Sequence, residues 1–105
     1  LVLTSSGHYL EAESDFSSAI ALRPSVTDTY FNRANVRAAM KRYGDAIRDY
    51  STVLQLSARD PDALYARGIA HHLNGDSPAA CKDLRRASSF GSAQADMAMI
   101  KVCPK

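Results

Sequence analysis

Residues 45–56 read DAIRDYSTVLQL, and residues 79–90, thirty-four positions later, read AACKDLRRASSF. Residues 11–22, thirty-four positions earlier, read EAESDFSSAIAL. Set in one register, the three stretches agree column by column. Ala12, Ala46 and Ala80 fall together, as do Asp15, Asp49 and Asp83. Phe16, Tyr50 and Leu84 make a large apolar column, then come Ala19, Val53 and Ala87, then Leu22, Leu56 and Phe90. Beyond these stretches Asp28, Asp62 and Asp96 keep the same step, as do Arg33 with Arg67 and Ala34 with Gly68. Self-similarity at a fixed period of this size marks an array of supersecondary units, each covering the apolar face of its neighbour.

Working outward from residues 45–56, each unit reads as a helical hairpin. Ala46, Ile47, Tyr50, Val53 and Leu54 form one apolar stripe at helical spacing. The preceding helix is expected to run to about Met40, with Arg42, Tyr43 and Gly44 as the turn and Asp45 as the next start. Ser25, Thr27 and Asp28 offer its N-terminal cap, Ser25 and Asp28 in capping-box spacing. In the following unit Asp60 caps, Pro61 takes the first helical position, and Asn74 and Gly75 end the helix. Ser77 and Pro78 are expected to start the next one, Gly91 to stop it, and Ser92 to open a last segment to about Val102. Before all this, residues 1–6 read as the tail of a helix, Gly7 as its stop, residues 9–22 as its partner, and Pro24 as the close of the unit. Ala12, Ala46 and Ala80 are placed where paired helices cross closely, with Ala34 and Gly68 across the crossing; larger side chains would push the axes apart.

Composition agrees with a folded helical domain. The chain has 105 residues, enough for one domain and too few for two. Apolar residues make up 46% and charged residues 23%, which argues against disorder. The net charge of +2 with interspersed signs gives no field that points to nucleic acid or membrane. No apolar run is long enough to span a bilayer. No signal peptide is visible, and the start at Leu1 is compatible with a removed N-terminal segment. Cys81 and Cys103 are too few for a disulfide scaffold; the expectation is two small apolar residues on separate helices, with a single bridge between them left open, and unpaired cysteines lean localisation toward the cytoplasm.

The period of thirty-four, the hairpin unit and the step from Ala46 to Tyr50 resemble the tetratricopeptide repeat (TPR). By that pattern Tyr30 and Leu64 open the first helices, with Ala34 and Gly68 as the small residues four on. The closing proline is Pro24 only, replaced by Ala58 and Ser92; Arg37 and His71 stand where the family has a tyrosine. The resemblance implies an all-α, right-handed solenoid with a partial repeat (1–26), two complete repeats (27–60 and 61–94) and a capping helix (95–105) like the closing end of bacterial-type arrays. Leu1 aligns to the ninth position of its unit, so the front of that unit is expected to lie before it.

Two charge pairs are expected inside the repeats. Arg33 and Arg67 each precede an aspartate by sixteen residues, so Arg33 should pair with Asp49 and Arg67 with Asp83 across their hairpins. Asp15 has no arginine in that register, a second sign of a truncated first unit.

The resemblance also implies a protein-interaction scaffold with no catalysis, cofactor or metal. Its concave groove would present Phe31, Asn32 and Asn35 from one unit, Tyr65, Ile69, His72 and Leu73 from the next, and Met99 from the terminal helix. An apolar strip with polar handles suits an extended peptide or a helix. The family's clamp for a chaperone C-terminal carboxylate is not expected. Asp62 and Ala66 stand at its lysine and arginine positions, and Asp28, Asp62 and Asp96 would repel a carboxylate.

Other chemistries find little support. His71 and His72 are adjacent and point about 100° apart on a helix, so they do not chelate one metal. No cysteine or histidine falls at zinc spacing from Cys81, and no glycine-rich phosphate loop is present. Nucleic-acid binding through Arg33, Arg37, Lys41 and Arg42, or through Lys82, Arg85 and Arg86, is a weaker reading for want of interleaved aromatics. Self-association through an uncovered first unit, at Tyr9, Leu10, Phe16 and Ile20, is the alternative to peptide binding.

Overall fold

A computed structural model of the chain describes residues 6–104. Six helices follow in order: α1 Ser6–Leu22, α2 Thr27–Ala39, α3 Tyr43–Leu56, α4 Pro61–Leu73, α5 Ser77–Ser89 and α6 Ala93–Val102. There is no strand among the described residues. Each helix packs chiefly on its neighbours in the chain, and α4 also touches α6. The fold is therefore an all-α stack of hairpins, α2 with α3 and α4 with α5, flanked by α1 and α6.

The cores lie where the repeat places them. Ala34, Ala46, Tyr50 and Ala70 form one buried cluster, and Leu64, Leu84, Ala87 and Ala95 the next. The small residues at the crossings have a steric cause. A Cβ added at Gly68 would stand 3.0 Å from Leu84 Cγ and 3.3 Å from the Ala80 carbonyl oxygen. Ala34, Ala46 and Ala80 are fully buried, whereas Ala12 is half-buried.

Several boundaries depart from the sequence reading. Residues 1–5 lie outside the described residues, but Gly7 does not stop a helix: α1 runs through it. A helical glycine costs about 1 kcal/mol and breaks nothing by itself. The capping box at Ser25 is unused. Val26 takes the N-cap of α2 with no side-chain hydrogen bond, and Tyr30 Oη ties the loop instead by donating to the Pro24 carbonyl at 2.8 Å. Helix α3 starts at Tyr43 rather than Asp45. Asp76, not Ser77, caps α5, accepting from the Ala79 N–H and leaving Ser77 and Pro78 inside the first turn. Asp60 and Ser92 cap α4 and α6 through their side-chain oxygens.

The largest correction concerns the cysteines. Cys81 and Cys103 are joined by a disulfide, with Cα atoms 5.1 Å apart. Helix α6 folds back on α5 so that its C-cap meets the first half of α5. The lean toward the cytoplasm rested on unpaired cysteines and loses that support.

Candidate functional site

The first helices of the hairpins, α2 and α4, and the helix α6 after them carry the residues expected on the groove. Their side chains divide into two sets. Asn32, Asn35, His72 and Leu73 are exposed, Leu73 at 54%. Phe31, Tyr65, Ile69 and Met99 are half-buried and packed on the cores. The Phe31 ring meets Tyr50 edge to face at 5.6 Å between centroids. Tyr65, Ile69 and Met99 lie against the Leu64 and Leu84 cluster. The apolar strip is thus largely the rim of the core, and its free part is short. Tyr50 Oη donates to Asn35 Oδ1, which holds that amide beside the core. Burial first, and the Asp49 carboxylate second, push the Tyr50 phenol up to about 12.

Two of the concavities along these helices reach α2 or α4. One of about 390 Å³ is lined by Tyr65 of α4 and Gln94, Met97, Ala98 and Lys101 of α6. Sequence reasoning missed its α6 wall; the signal was Met97, an apolar residue off the packed stripe and 70% exposed. The other, of about 160 Å³, joins Asp28 and Phe31 of α2 to Asp60 and Asp62 at the start of α4. Asp28 and Asp62 each lie in the first turn of a helix, where the macrodipole favours a negative charge. Asp96, in the same place on α6, accepts a hydrogen bond from Ser88 Oγ.

Behind this face runs an ion-pair network. Arg33 forks onto Asp49, Nε to Oδ2 and Nη2 to Oδ1, both at 2.8 Å. Its Nη1 donates to Ser17 Oγ at 3.1 Å. One repeat on, Arg67 donates to Asp83 from Nε at 2.7 Å and Nη2 at 2.8 Å, and to Ser51 Oγ at 3.1 Å. Asp49 and Asp83 are each only 3% exposed, and the bidentate fork compensates the loss of water. The bond to Asp49 holds the Arg33 guanidinium above its ordinary pKa, against the opposing effect of burial. The serines escaped the sequence reading, although Ser17 and Ser51 are themselves thirty-four residues apart.

Arg37 extends the first network, from Nε to Glu13 Oε2 at 2.6 Å and from Nη1 to Asp49 Oδ2 at 3.1 Å. Arg42 binds the same Glu13 and also Asp45. The Arg37 hydrogen bond, with help from Arg42, holds the Glu13 carboxyl below the usual carboxylate range although burial opposes it. Arg33, Arg37 and Arg42 are therefore engaged by carboxylates, which removes most of the basic run considered for nucleic acid. Among the described residues no cluster of three potential metal ligands occurs, and no helix is long and apolar enough to cross a membrane.

The geometry has clear relatives. Residues 34–75 match the family model described as TPR repeat. A FAM10 family protein of Arabidopsis thaliana is 32% identical over 97 residues, covering 92% of this chain and 22% of the relative. The second TPR domain of human RPAP3, solved in complex with the HSP70 peptide SGPTIEEVD, superposes with a TM-score of 0.86 at 24% identity, over 94% of this chain and 84% of that one. The Yersinia enterocolitica type III secretion chaperone SycD, solved with a peptide of the translocator YopD, gives 0.78 at 20% identity, over 91% and 73%. The chain spans less than half the length of the curated relatives it matches.

Proposed function

Because the chain is a tetratricopeptide-repeat protein, we propose that it is an interaction module that holds a peptide segment of a partner protein along α2, α4 and α6 and performs no chemistry of its own. The observation that carries this reading is the open concavity between Tyr65 of α4 and Met97 and Ala98 of α6, with Leu73 exposed on the same helix as Tyr65. An apolar side chain of a bound segment gains roughly 25 cal/mol for each Å² removed from water there. The two solved neighbours each hold a peptide, which supports the mode of use.

The segment is not an acidic C-terminus. Asp28 and Asp62 are exposed, and Asp60 joins them around the smaller concavity, so a carboxylate docked there meets like charge. A segment bearing apolar anchors and no acidic end fits instead. A peptide array read by fluorescence anisotropy tests this, using the wild type and a Leu73→Asp, Met97→Asp variant. Both positions are exposed, so the variant keeps its helical content. Apolar-anchored peptides should bind the wild type and bind the variant about tenfold more weakly, a loss of roughly 1.4 kcal/mol. Equal affinity for both proteins, or preference for peptides with an acidic end, counts against the reading.

Self-association remains a second reading on one observation. Helix α1 has no fully buried residue among the described ones, and its Leu10 and Leu22 are 53% and 83% exposed. A strict monomer by sedimentation at high concentration would remove it.

A further inference from the structure

We propose that the Cys81–Cys103 bridge is an exchangeable staple: a thiol opens it by attack at Cys103, and opening it releases α6 from α5 and α4. Apart from the bridge, α6 is lightly held. The helix has ten residues, short of the roughly 12–15 at which an isolated helix becomes even marginal. Ser92 Oγ accepts from the Ala95 N–H and fixes its start. Only Ala95 is fully buried; Ala98, Met99 and Val102 lie partly buried against Leu64, Leu84 and Ala87. The outward face, with Met97 70% and Ile100 76% exposed, contributes nothing to docking. Among the described residues no ion pair joins α5 and α6; Ser88 Oγ of α5 donates to Asp96 in the first turn of α6, a tie at the near end only. The bridge therefore anchors the far end of α6, as the Gly91–Ser92 turn anchors the near end.

The bridge is also reachable. Cys81 is 4% exposed and Cys103 is half-buried, so Cys103 presents the more open sulfur. Cavities of about 430 and 300 Å³ adjoin it, the first lined by Cys103 and the second by Cys81. Arg85, itself exposed, and Pro104 line both. The chemistry balances with two equivalents of a thiol. A thiolate attacks Cys103 Sγ, the S–S bond breaks, and its electron pair leaves on Cys81 as a thiolate. A second thiolate then attacks the mixed disulfide at the sulfur of the first thiol, giving the external disulfide and the Cys103 thiolate. Two electrons pass from the two thiols to the bridge. A cation beside the leaving sulfur lowers its pKa and speeds departure, which is the part assigned to Arg85.

Release of α6 uncovers the Leu64 and Leu84 cluster and removes Met97, Ala98 and Lys101 from the concavity at Tyr65. Binding would then depend on redox state. That consequence rests on the α2, α4 and α6 reading of the partner site; the staple itself does not.

The test equilibrates the whole chain with glutathione buffers of varied ratio and follows amide hydrogen exchange by helix. Reduction should speed exchange in α6 at least about tenfold, leave α2 and α3 unchanged, and reverse on reoxidation. Cys103→Ser should behave as the reduced wild type. Arg85→Ala should keep the oxidised protection and open about threefold more slowly. If reduced wild type and Cys103→Ser both keep α6 as protected as the oxidised chain, the staple is wrong. A bridge that excess glutathione cannot open overturns its exchangeable character, and unchanged kinetics in Arg85→Ala remove the role of Arg85. Peptide binding that is absent in both redox states counts against the partner site alone, because the exchange data stand without it.

Discussion

At the first junction Arg37 of α2 reaches Glu13 of α1 at 2.6 Å and Asp49 of α3 at 3.1 Å. One repeat later His71 stands in the place of Arg37 and Ile47 in that of Glu13, and the nearest equivalent contact is His71 Nε2 to Asp83 at 3.8 Å. The fork of arginine onto aspartate with its serine is the same in both places. What differs is the flank that ties each hairpin to the helix before it. Helix α1 has no fully buried residue among those described, and Glu13 and Ser17 reaching the arginines add to the hold of its half-buried Tyr9, Ala12, Phe16 and Ile20. At the other end the register puts Lys101 where Arg67 stood and Arg85 where Ser51 stood. Two cations cannot continue the fork, and there the disulfide and Ala95 take over. A repeat can therefore keep one internal bond pattern while each junction finds its own means of attachment.

Removing the aspartates is the strongest way to break this comparison. Loss of one partner of a buried pair costs about 3–5 kcal/mol, because the other charge is stranded. Asp83→Ala strands Arg67 and should lower stability by about 3 kcal/mol. Asp49→Ala strands Arg33 and also takes a bond from Arg37, and should cost about 1 kcal/mol more. Urea midpoints for the two variants decide the matter. Equal losses would mean that the Arg37 bond to Asp49 contributes nothing, and the two junctions would be energetically alike.

Most of what repeats was legible in the sequence, the serines of the two forks excepted, and the attachments that occur once at a junction were not. The thirty-four-residue step located all six helices, the tight crossings at Ala34, Ala46, Gly68 and Ala80, and both Arg–Asp forks. Each of these is dictated twice, so register alone exposes it. Glu13 occurs once, and the clue was a break in the column: a carboxylate where the next two units have Ile47 and Cys81. The disulfide was illegible for a related reason. Cys81 and Cys103 are twenty-two residues apart, off the period, and their approach depends on how α6 turns back on α5. The groove was legible as a list of positions but not as a free surface. Whether Phe31 or Ile69 faces outward or lies on the core depends on the packing of neighbouring helices, which periodicity does not specify.

Two single-residue changes sharpen the likeness of the hairpins. At the crossing Ala34 in one unit corresponds to Gly68 in the other. Gly68→Ala gains about 1 kcal/mol of helix propensity but sets a methyl 3.0 Å and 3.1 Å from two carbons of the fully buried Leu84. Overpacking of this kind costs about 1–3 kcal/mol, so the net change should be a loss of about 1 kcal/mol, read as a lower thermal midpoint. A rise in the midpoint would show that the second crossing is as roomy as the first. At the helix ends the unlikeness is one of backbone. Lys41 has φ of 64° where Gly75, one repeat on, has φ of 87°. Both ends close with the same bond, Arg42 N–H to Arg37 carbonyl and Asp76 N–H to His71 carbonyl, each at 2.8 Å. The left-handed conformation disfavours any side chain, so Lys41→Gly should stabilise by about 1 kcal/mol. No gain would mean that the lysine relieves the strain in another way.

The smallest expected effect isolates the flank that only the first junction has. Glu13 is held below its ordinary pKa of 4.5, chiefly by the hydrogen bond from Arg37. A carboxyl whose folded pKa is depressed adds stability above its unfolded pKa, and that stability drains away as pH falls through the folded value. The attachment of α1 should therefore be intact at about pH 6 and weakened at about pH 3. Low pH acts on the whole chain, so the pH dependence of the wild type alone does not assign the effect. Glu13→Gln does. It keeps the shape, removes the charge, and should cost about 0.5–1 kcal/mol at about pH 6, a cost that shrinks as the pH falls below the unfolded value. The difference between the two proteins is then the contribution of Glu13 at each pH. Because the Arg42 side chain is 40% exposed, added salt should shrink that difference, whereas the Arg67 fork onto the buried Asp83 carboxylate should barely respond. A Glu13→Gln cost that persists unchanged in acid would show that α1 is held by shape and packing, and the contrast between the two junctions would lose its electrostatic basis.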